Sequence, residues 1–568
     1  MSDLSVVHGE IMEELPFFAP ASTDMIDGLI SEYRRDRAAL VHVADFMHNN
    51  SAGVLHYFIE GNTPDQRLSL PKTVSSLFQL DNAIGQLNAD YWNRALRLTD
   101  VLDIMPQNRR NEWFEQIRNP MGKKAKKLSV FEIERGAIQK EWELEPLPDF
   151  EEETVRATIG ELLMMRSKFF AERVDGIFRA LSGTHVTNEP QGFGKRMIMA
   201  GVIGSFGCVD HCKSGHINDL RAVIAKFMGR DEPKYGVTDA VIQAARRNAG
   251  QWNSVDAGAL RIRVYNGVGT AHLEVHPDMA WRLNAILASL YPAAIPPKFR
   301  QKPPRKSKEF VMMGKPLPFA VVSALAAMKE AHEPIPDDFQ KRTRRIPNTL
   351  QFSYGSGDDK AVIAEAEQVL ESIGGVKLIS RGSWTHWQFD YNPEAVIDEI
   401  VCSGCVPHQK SHQFYPTPEN LARIAVELAG IEDGHDCLEP SAGTGGLADL
   451  MPKDRTMCVE ISRLHCKVLE AKGFMVRGSD FMTIPADCQF ARIVMNPPYS
   501  EGRWQSHLQH AAKMLAVGGR LVAILPASAK GKDDLLPGLT CSWSETYDNQ
   551  FAGASVSVVI LKADKAGA

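Results

Sequence analysis

Asn496-Pro497-Pro498-Tyr499 follows the apolar run Ala491–Met495 (ARIVM), and chemistry is most readily written at this tetrapeptide. The run reads as a buried strand. Two successive prolines stiffen the loop that it feeds and remove backbone donors, leaving carbonyls free to accept. An exocyclic amine is conjugated with its ring and is a poor nucleophile. Hydrogen bonds from its two N–H groups to the Asn496 side-chain oxygen and the Pro497 carbonyl favour a tetrahedral nitrogen with an available lone pair. Pro498 extends the rigid turn, and Tyr499 is placed to stack on the ring that carries the amine. The bland alternative is a strand-terminating turn, so the preceding elements decide between the two.

Those elements repeat a strand–turn–helix pattern. In QFYPTPENLARIAVELAGI, from Gln413, a turn and the capping-type residue Thr417 precede an amphipathic helix. In DCLEPSAGTGGLADL, Asp436 to Leu450, a strand ends at an acid, Glu439, and a turn containing Gly443, Gly445 and Gly446 feeds a further helix. Glycine turns of this kind also serve dinucleotides and phosphates, so alone they discriminate little. A second strand, within Met457–Gly473, ends at Glu460, where a carboxylate can accept from a ribose diol. A third ends at Asp480 beside Phe481, an acid for a purine amino group and a ring for the adenine face. No P-loop lysine accompanies them. The expected cofactor is a nucleoside without a polyphosphate.

This order of motifs resembles the class I amino-methyltransferases, and its wording is close to the adenine-specific DNA methylases of bacteria and phages. The likeness runs from about Gln413 to the C-terminus through FYPTP, EPSAGTGG, Glu460, Ser479–Phe481, NPPY, HLQHAAKMLAVGGRLVAILP and FAGASVSVVILK. It implies S-adenosyl-L-methionine as cofactor, held by Tyr415, Pro416, Thr417, Glu439, Pro440, Ser441, Ala442, Gly443, Gly445, Glu460, Ile461, Asp480, Phe481 and Asn496. It implies methylation of the N6 amine of a flipped adenine, with catalysis at Asn496, Pro497, Pro498 and Tyr499, and with Tyr499 and Phe551 on the base. The closing segment from Phe551 is similar to that family's last hairpin. The implied fold is α/β, a doubly wound Rossmann-like sheet of six parallel strands and one antiparallel strand. No motif is broken, so an active enzyme is expected. N4-methylation of cytosine follows the same logic, and RNA bases or a protein glutamine are further substrates of such sheets. A DNA-binding regulator that merely senses cofactor is a reading of another class.

Upstream, the 568-residue chain divides by composition into a helical segment 1–75, a helix-rich α+β domain 76–295, a basic Pro-rich linker and helix 296–345, a small α+β unit 346–405 and the catalytic domain 406–568. The region from about Asn82 to Ala294 resembles a prokaryotic domain family of unassigned function that commonly precedes such methylases in mobile elements. Apolar spacing reads as helical from Asn82 to Ser182, notably over Glu152–Leu181. LRIRVYNGVGTAHLEVH, Leu260–His276, reads as a hairpin about an Asn-Gly turn; Arg261 and Arg263 share its wet face. Leu350 to Ile400 reads as strand, helix, hairpin and helix, with Trp384 and Trp387 taken to share a face as core.

The net charge of -6 argues against a generally basic nucleic-acid coat, yet Lys298–Arg345 holds 12 Lys/Arg against 5 Asp/Glu. DNA is the expected partner, bound through the N-terminal 400 residues with that basic stretch on phosphates. A second copy or a nuclease partner is left open. Nine scattered cysteines fit reduced thiols, and the N-terminus has no signal-peptide pattern, so a cytoplasmic protein without membrane contact is expected. Cys208, His211, Cys212 and His216, and likewise Cys402, Cys405, His408 and His412, cluster in sequence. Their spacing is too tight for a zinc finger, and no metal is assigned.

Overall fold

A computed structural model describes residues 23–49, 54, 78–125, 141–204, 206–304, 312–335, 342–353, 359–380, 384–407, 415–532, 535–551 and 555–567. The chain forms two compact units. One comprises Met1–Gly194, Gly215–Gly229 and Ala280–Pro303; the other comprises Lys195–Ser214, Arg230–Met279 and Pro304–Ala568. The region 76–295 therefore contributes to both.

The first unit is mainly helical. Thr23–Asn49 and Leu80–Arg97 pack around an aromatic core in which Tyr33, Tyr91 and Trp92 lie 5.1–5.6 Å from the Phe150 ring. The helical reading of Asn82–Ser182 needs two corrections. Pro120 and Gly122, the latter at φ +70°, end the helical run, and strands Lys123–Ala125 and Glu141–Glu143 pair antiparallel. The Glu152–Leu181 stretch is two helices, Glu152–Met164 and Arg166–Ala180, that meet at Met165 with φ -83° and ψ 0°. The second helix buries Arg173, whose Nε donates to Asp219 at 2.8 Å.

The second unit holds a four-stranded antiparallel sheet ordered Arg196–Met199, Thr270–Val275, Leu260–Tyr265, Asn253–Val255. Leu260, Ile262 and Val264 are buried while Arg261, Arg263 and Tyr265 alternate with them on a partly exposed face. The hairpin closes at the Tyr265–Thr270 pair, so its loop is 266–269 and is wider than Asn266-Gly267 alone. The expected strand, helix, hairpin and helix follow as Thr349–Leu350, Lys360–Ser372, Val376–Ser380 with Trp384–Gln388, and Glu394–Ser403. Trp384 and Trp387 do not share a face, because side chains three apart on a strand point to opposite sides. Trp387 is buried, and the side chain of Trp384 lies outside the described residues. In the basic stretch, Arg344 pairs with Glu333 and Arg345 with Glu330; residues 305–311 and 336–341 lie outside the described residues. So do His408 and His412, whereas Cys402 and Cys405 are buried thiols. Among the described residues no group of His, Cys, Asp and Glu is placed to hold a metal, and no helix is long and apolar enough to cross a membrane.

The C-terminal part is a mixed sheet in an α/β arrangement. Its strands are β1 (Cys437–Pro440), β2 (Thr456–Glu460), β3 (Met475–Gly478), β4 (Phe490–Met495), β5 (Leu515–Pro526), β6 (Leu539–Trp543) and β7 (Val558–Lys565), in the order β3-β2-β1-β4-β5-β7-β6. β1 to β5 pair parallel, and β7 runs antiparallel to both β5 and β6. Alternation along β5 builds both cores. Leu521, Ala523 and Leu525 face Trp504, Leu508 and Ala511 of helix α3 (Arg503–Lys513), and Val522 and Ile524 face Leu421, Ala422 and Ala425 of helix α1 (Glu419–Ala429). Each buried Leu or Ile of such a sheet contributes about 1.5–3 kcal/mol.

Two local expectations fail here. No α-helix follows the glycine turn, because Pro452 leaves room for just the short 3-10 turns Ala448–Leu450 and Lys453–Arg455 before β2. Helix α2 (Arg463–Lys472) follows β2, as expected. The last hairpin begins at β6, upstream of Phe551, which lies in the connection to β7.

Candidate active site

All parallel strands present their carboxyl ends at one edge, and that edge opens into a cavity of about 900 Å³. Glu439 comes from the end of β1, Glu460 from β2, Asp480 from the turn after β3, and Asn496, Pro497, Pro498 and Tyr499 from the turn after β4. Tyr415, Pro416 and Thr417 close one side from the segment leading into α1. Ser441, Ala442, Gly443, Ile461, Phe481 and Phe551 complete the expected set on the wall. Pro440 and Gly445 do not line it: Pro440 ends β1 within the sheet, and a side chain at Gly445 would meet Leu469 at 3.1 Å. Gly445 serves the turn through its φ of +92°.

The acids take their partners from the backbone. Glu460 accepts from the Gly443 and Ser462 amides, each at 2.7 Å, with the His465 ring 3.8 Å away. Burial pushes its carboxyl up, but His465 and the two amides outweigh it, and the net position is below the usual carboxylate range. Glu460 is therefore a fixed anion with lone pairs to spare, suited to a diol. Asp480 accepts from the Met482 amide at 3.0 Å. Exposed Ile461 (65%) and Met482 (41%) stand beside these two acids and supply apolar surface for a flat ring.

Glu439 differs. Full burial pushes its carboxyl well above the usual range, and its Oε2 has no hydrogen-bond partner among the described residues. An unpartnered carboxyl oxygen in a cavity wall is costly unless a ligand supplies a donor. A ligand ammonium fits that need. A diol at Glu460, a ring against Ile461 and an ammonium at Glu439 describe an amino-acid–nucleoside conjugate, and these residues could hold one.

The Asn496 side chain is held at both ends. Its Nδ2 donates to Thr417 Oγ1 at 3.1 Å, and its Oδ1 accepts from the Tyr499 hydroxyl at 3.0 Å. Thr417 is thus not the helix cap: the first turn of α1 follows Pro418 with no side-chain cap, and the threonine is spent on Asn496. The single proton of the Tyr499 hydroxyl is shared with Ile524 O, 3.1 Å away; the ring packs into both cores, and burial raises the phenol. The tyrosine hydroxyl therefore steers Asn496, while its ring forms part of the wall. Phe551 is 5% exposed and packs on the α1 side.

Motif reading missed His507. It is buried beside Phe481, with ring centroids 5.5 Å apart, and its Nδ1 lies 3.2 Å from Ser441 Oγ. Burial lowers its pKa, keeping the ring neutral. Ser441 is itself held at φ +65°, a conformation that non-glycine residues rarely adopt. A signal existed: His507 falls at helical spacing among Trp504, Leu508 and Ala511, a polar residue on an apolar face. Arg503, one turn earlier on α3, and the adjacent Ser506 also line the cavity and carry no motif signal.

A family model described as a domain of unknown function, DUF4942, matches residues 130–293, upstream of this site. A curated relative, the type II restriction enzyme and methyltransferase RM.BcgI of Heyndrickxia coagulans, is 26% identical over 148 residues, covering 20% of this chain and 23% of the relative. The chain thus spans under a quarter of that relative's length. Solved structures that align with it include TrmN from Thermus thermophilus, at 21% identity and a TM-score of 0.22 over 26% of this chain and 48% of that one. A putative RNA methyltransferase from Pyrococcus horikoshii aligns at 21% identity and a TM-score of 0.23, over 28% and 91%. An N-methyltransferase, NodS, from Bradyrhizobium japonicum in complex with S-adenosyl-L-homocysteine aligns at 13% identity and 0.22, over 26% and 86%.

Proposed function

We propose that the C-terminal sheet transfers a methyl group from S-adenosyl-L-methionine to the N6 amine of an adenine turned out of DNA. The observation that carries this reading is the clamped Asn496. With Nδ2 fixed on Thr417 and the Tyr499 hydroxyl on one side of Oδ1, the remaining lone pair is left for an amine that also meets the Pro497 carbonyl. Similarity to a segment of RM.BcgI supports a restriction-modification methylase and favours DNA as the substrate class.

The cofactor, when bound, supplies an electrophilic methyl group on a sulfonium centre. Glu460 receives the ribose hydroxyls, Asp480 the adenine amine, Ile461 and Phe481 the adenine ring, and Glu439 the ammonium. Asn496 and Pro497 accept the two target N–H groups and orient the nitrogen lone pair. Tyr499 and Phe551 wall the base pocket and exclude water. Orientation and desolvation supply most of the rate. Recognition is assigned to the upstream residues. The basic stretch Lys298–Arg345 is assigned to phosphates, although Arg344 and Arg345 within it also pair with acids.

The test is nucleoside mass analysis of unmodified DNA after incubation with the full chain and S-adenosyl-L-methionine, with an Asn496→Ala variant alongside. N6-methyladenine that disappears in the variant supports the reading. N4-methylcytosine corrects the base, and bound cofactor without any methylated deoxynucleoside overturns DNA as the substrate.

A further inference from the structure

At one end of the four-stranded sheet two turns meet. The hairpin loop 266–269 lies beside a second turn closed by the Ile203–Val209 bridge. The Val202 and Ile203 amides donate to Gly269 O at 2.8 and 3.2 Å. Gly269 has φ +64°, and a Cβ there would sit 2.3 Å from Ile203 O, so glycine is required where the turns touch. Arg246 sits between them: its guanidinium donates to Gly207 O, and its carbonyl accepts from Asn266 Nδ2 at 3.2 Å. The turns are therefore held in place, yet what they present to solvent is apolar. Phe206 is 96% exposed and Val268 71%. Both side chains are held out on turns that touch, where they contribute little to packing and are available to a partner.

The chemistry behind the tip indicates the partner. Strand register places Arg196, Glu274 and Arg261 in one row across the polar face, and His272 and Arg263 in the next. The Arg263 and Arg196 guanidiniums lie 4.5 and 5.5 Å from the Trp252 ring centroid. Of the charged groups in those rows three are arginines and one is an acid, Glu274, which is buried against Arg196. An arginine-rich face that ends in a projecting phenylalanine fits a polyanion with flat apolar layers inside it: a base-paired nucleic acid. The same sheet is bound to the methyltransferase part through Arg463, which opens helix α2 three residues after Glu460. Its guanidinium donates to Trp252 O at 2.7 Å and to Asn253 Oδ1 at 3.1 Å.

We propose that Phe206 and Val268 form a wedge that enters the DNA duplex and occupies the stack while the target base is out, with Arg246 and Arg263 facing phosphates. This rests on the proposed function, because extracting a base is what creates a gap to fill. Both side chains are exposed, so Phe206→Ala and Val268→Ala should leave folding and cofactor affinity intact. In the full chain, methyl transfer by the double variant to native, unmodified DNA should fall about tenfold or more, whereas transfer to the same DNA after heat denaturation should stay at the wild-type rate, since unpaired bases need no extraction. Wild-type rates on both forms overturn the wedge, and so does an equal loss on both forms, which would make the pair a general strand contact. If the wild type methylates neither form, the proposed function fails. The wedge is then judged by permanganate reactivity of thymines in bound duplex, which the double variant must lower; unchanged reactivity overturns it.

Discussion

In the four-stranded sheet Glu274 spends its charge on the Arg196 guanidinium, 2.8 Å away, and Arg263 donates to the Tyr265 hydroxyl at 3.1 Å. In the seven-stranded sheet Glu460 and Asp480 take partners from backbone amides of the turns at their strand ends. The difference comes from topology. Neighbouring antiparallel strands place side chains directly opposite, so opposite charges find each other across the ladder. Parallel strands end together at one edge, where turn amides converge on the acids and leave lone pairs facing a cavity. A carboxylate paired with arginine is neutralised; one held by amides keeps its charge for a ligand.

The largest test of this contrast is Asn496→Ala. Removing an oriented acceptor of this kind should cost about 10²–10³ in turnover, with unchanged cofactor affinity measured by calorimetry. An active variant would break the assignment of chemistry to that edge. Next is Glu460→Gln, which keeps the side-chain shape and removes the anion. Losing a charge-assisted bond of about 1.5–3 kcal/mol should weaken S-adenosyl-L-methionine roughly 10- to 100-fold. Because the Glu460 carboxyl is depressed, its stabilisation is present above the ordinary carboxylate range and lost as pH falls through the lowered value. Acid melting curves of the wild type and the glutamine variant should therefore converge at low pH.

Glu439→Gln sharpens the comparison from the other side. The raised Glu439 carboxyl stabilises the fold below its ordinary pKa, and that contribution is lost as pH rises through the raised value. The variant should melt no lower than wild type at neutral pH, yet bind cofactor roughly tenfold more weakly. Wild-type affinity should climb with pH while the affinity of the variant stays flat. The smallest effect is expected at Glu399, a buried residue of helix Glu394–Ser403. Burial pushes its carboxyl up to about 7 despite Arg463 at 2.8 Å. Its stabilisation is present below the ordinary carboxylate pKa and lost as pH rises through about 7. Relative to Glu399→Gln, the wild-type Tm should drop by roughly 1–3 °C between pH 5 and pH 8. A parallel pH profile for the two proteins would remove Glu399 from the account.

Much of the C-terminal site was legible because it is built from short contiguous motifs at strand ends. The acids at Glu439, Glu460 and Asp480 could be numbered before any fold was known. The upstream region was less legible. Its hairpin alternated clearly, but nothing local announced that Pro120 and Gly122 would interrupt the helices, or that the residues between Asn82 and Ala294 would serve two compact units. Residue types and spacing by themselves determined which loops carry reactive groups and which faces of the strands are buried, because both depend on neighbours within a few positions. The tertiary structure alone decided that Thr417 would hold Asn496, 79 residues away, rather than cap its own helix. It also decided that His507 would meet Ser441, that one Glu439 oxygen would have no partner among the described residues, and that the turn carrying Phe206 would meet the turn carrying Val268. Each of these depends on which distant segments the packing of sheets and helices brings within hydrogen-bond reach, and no local pattern in the chain encodes that distance.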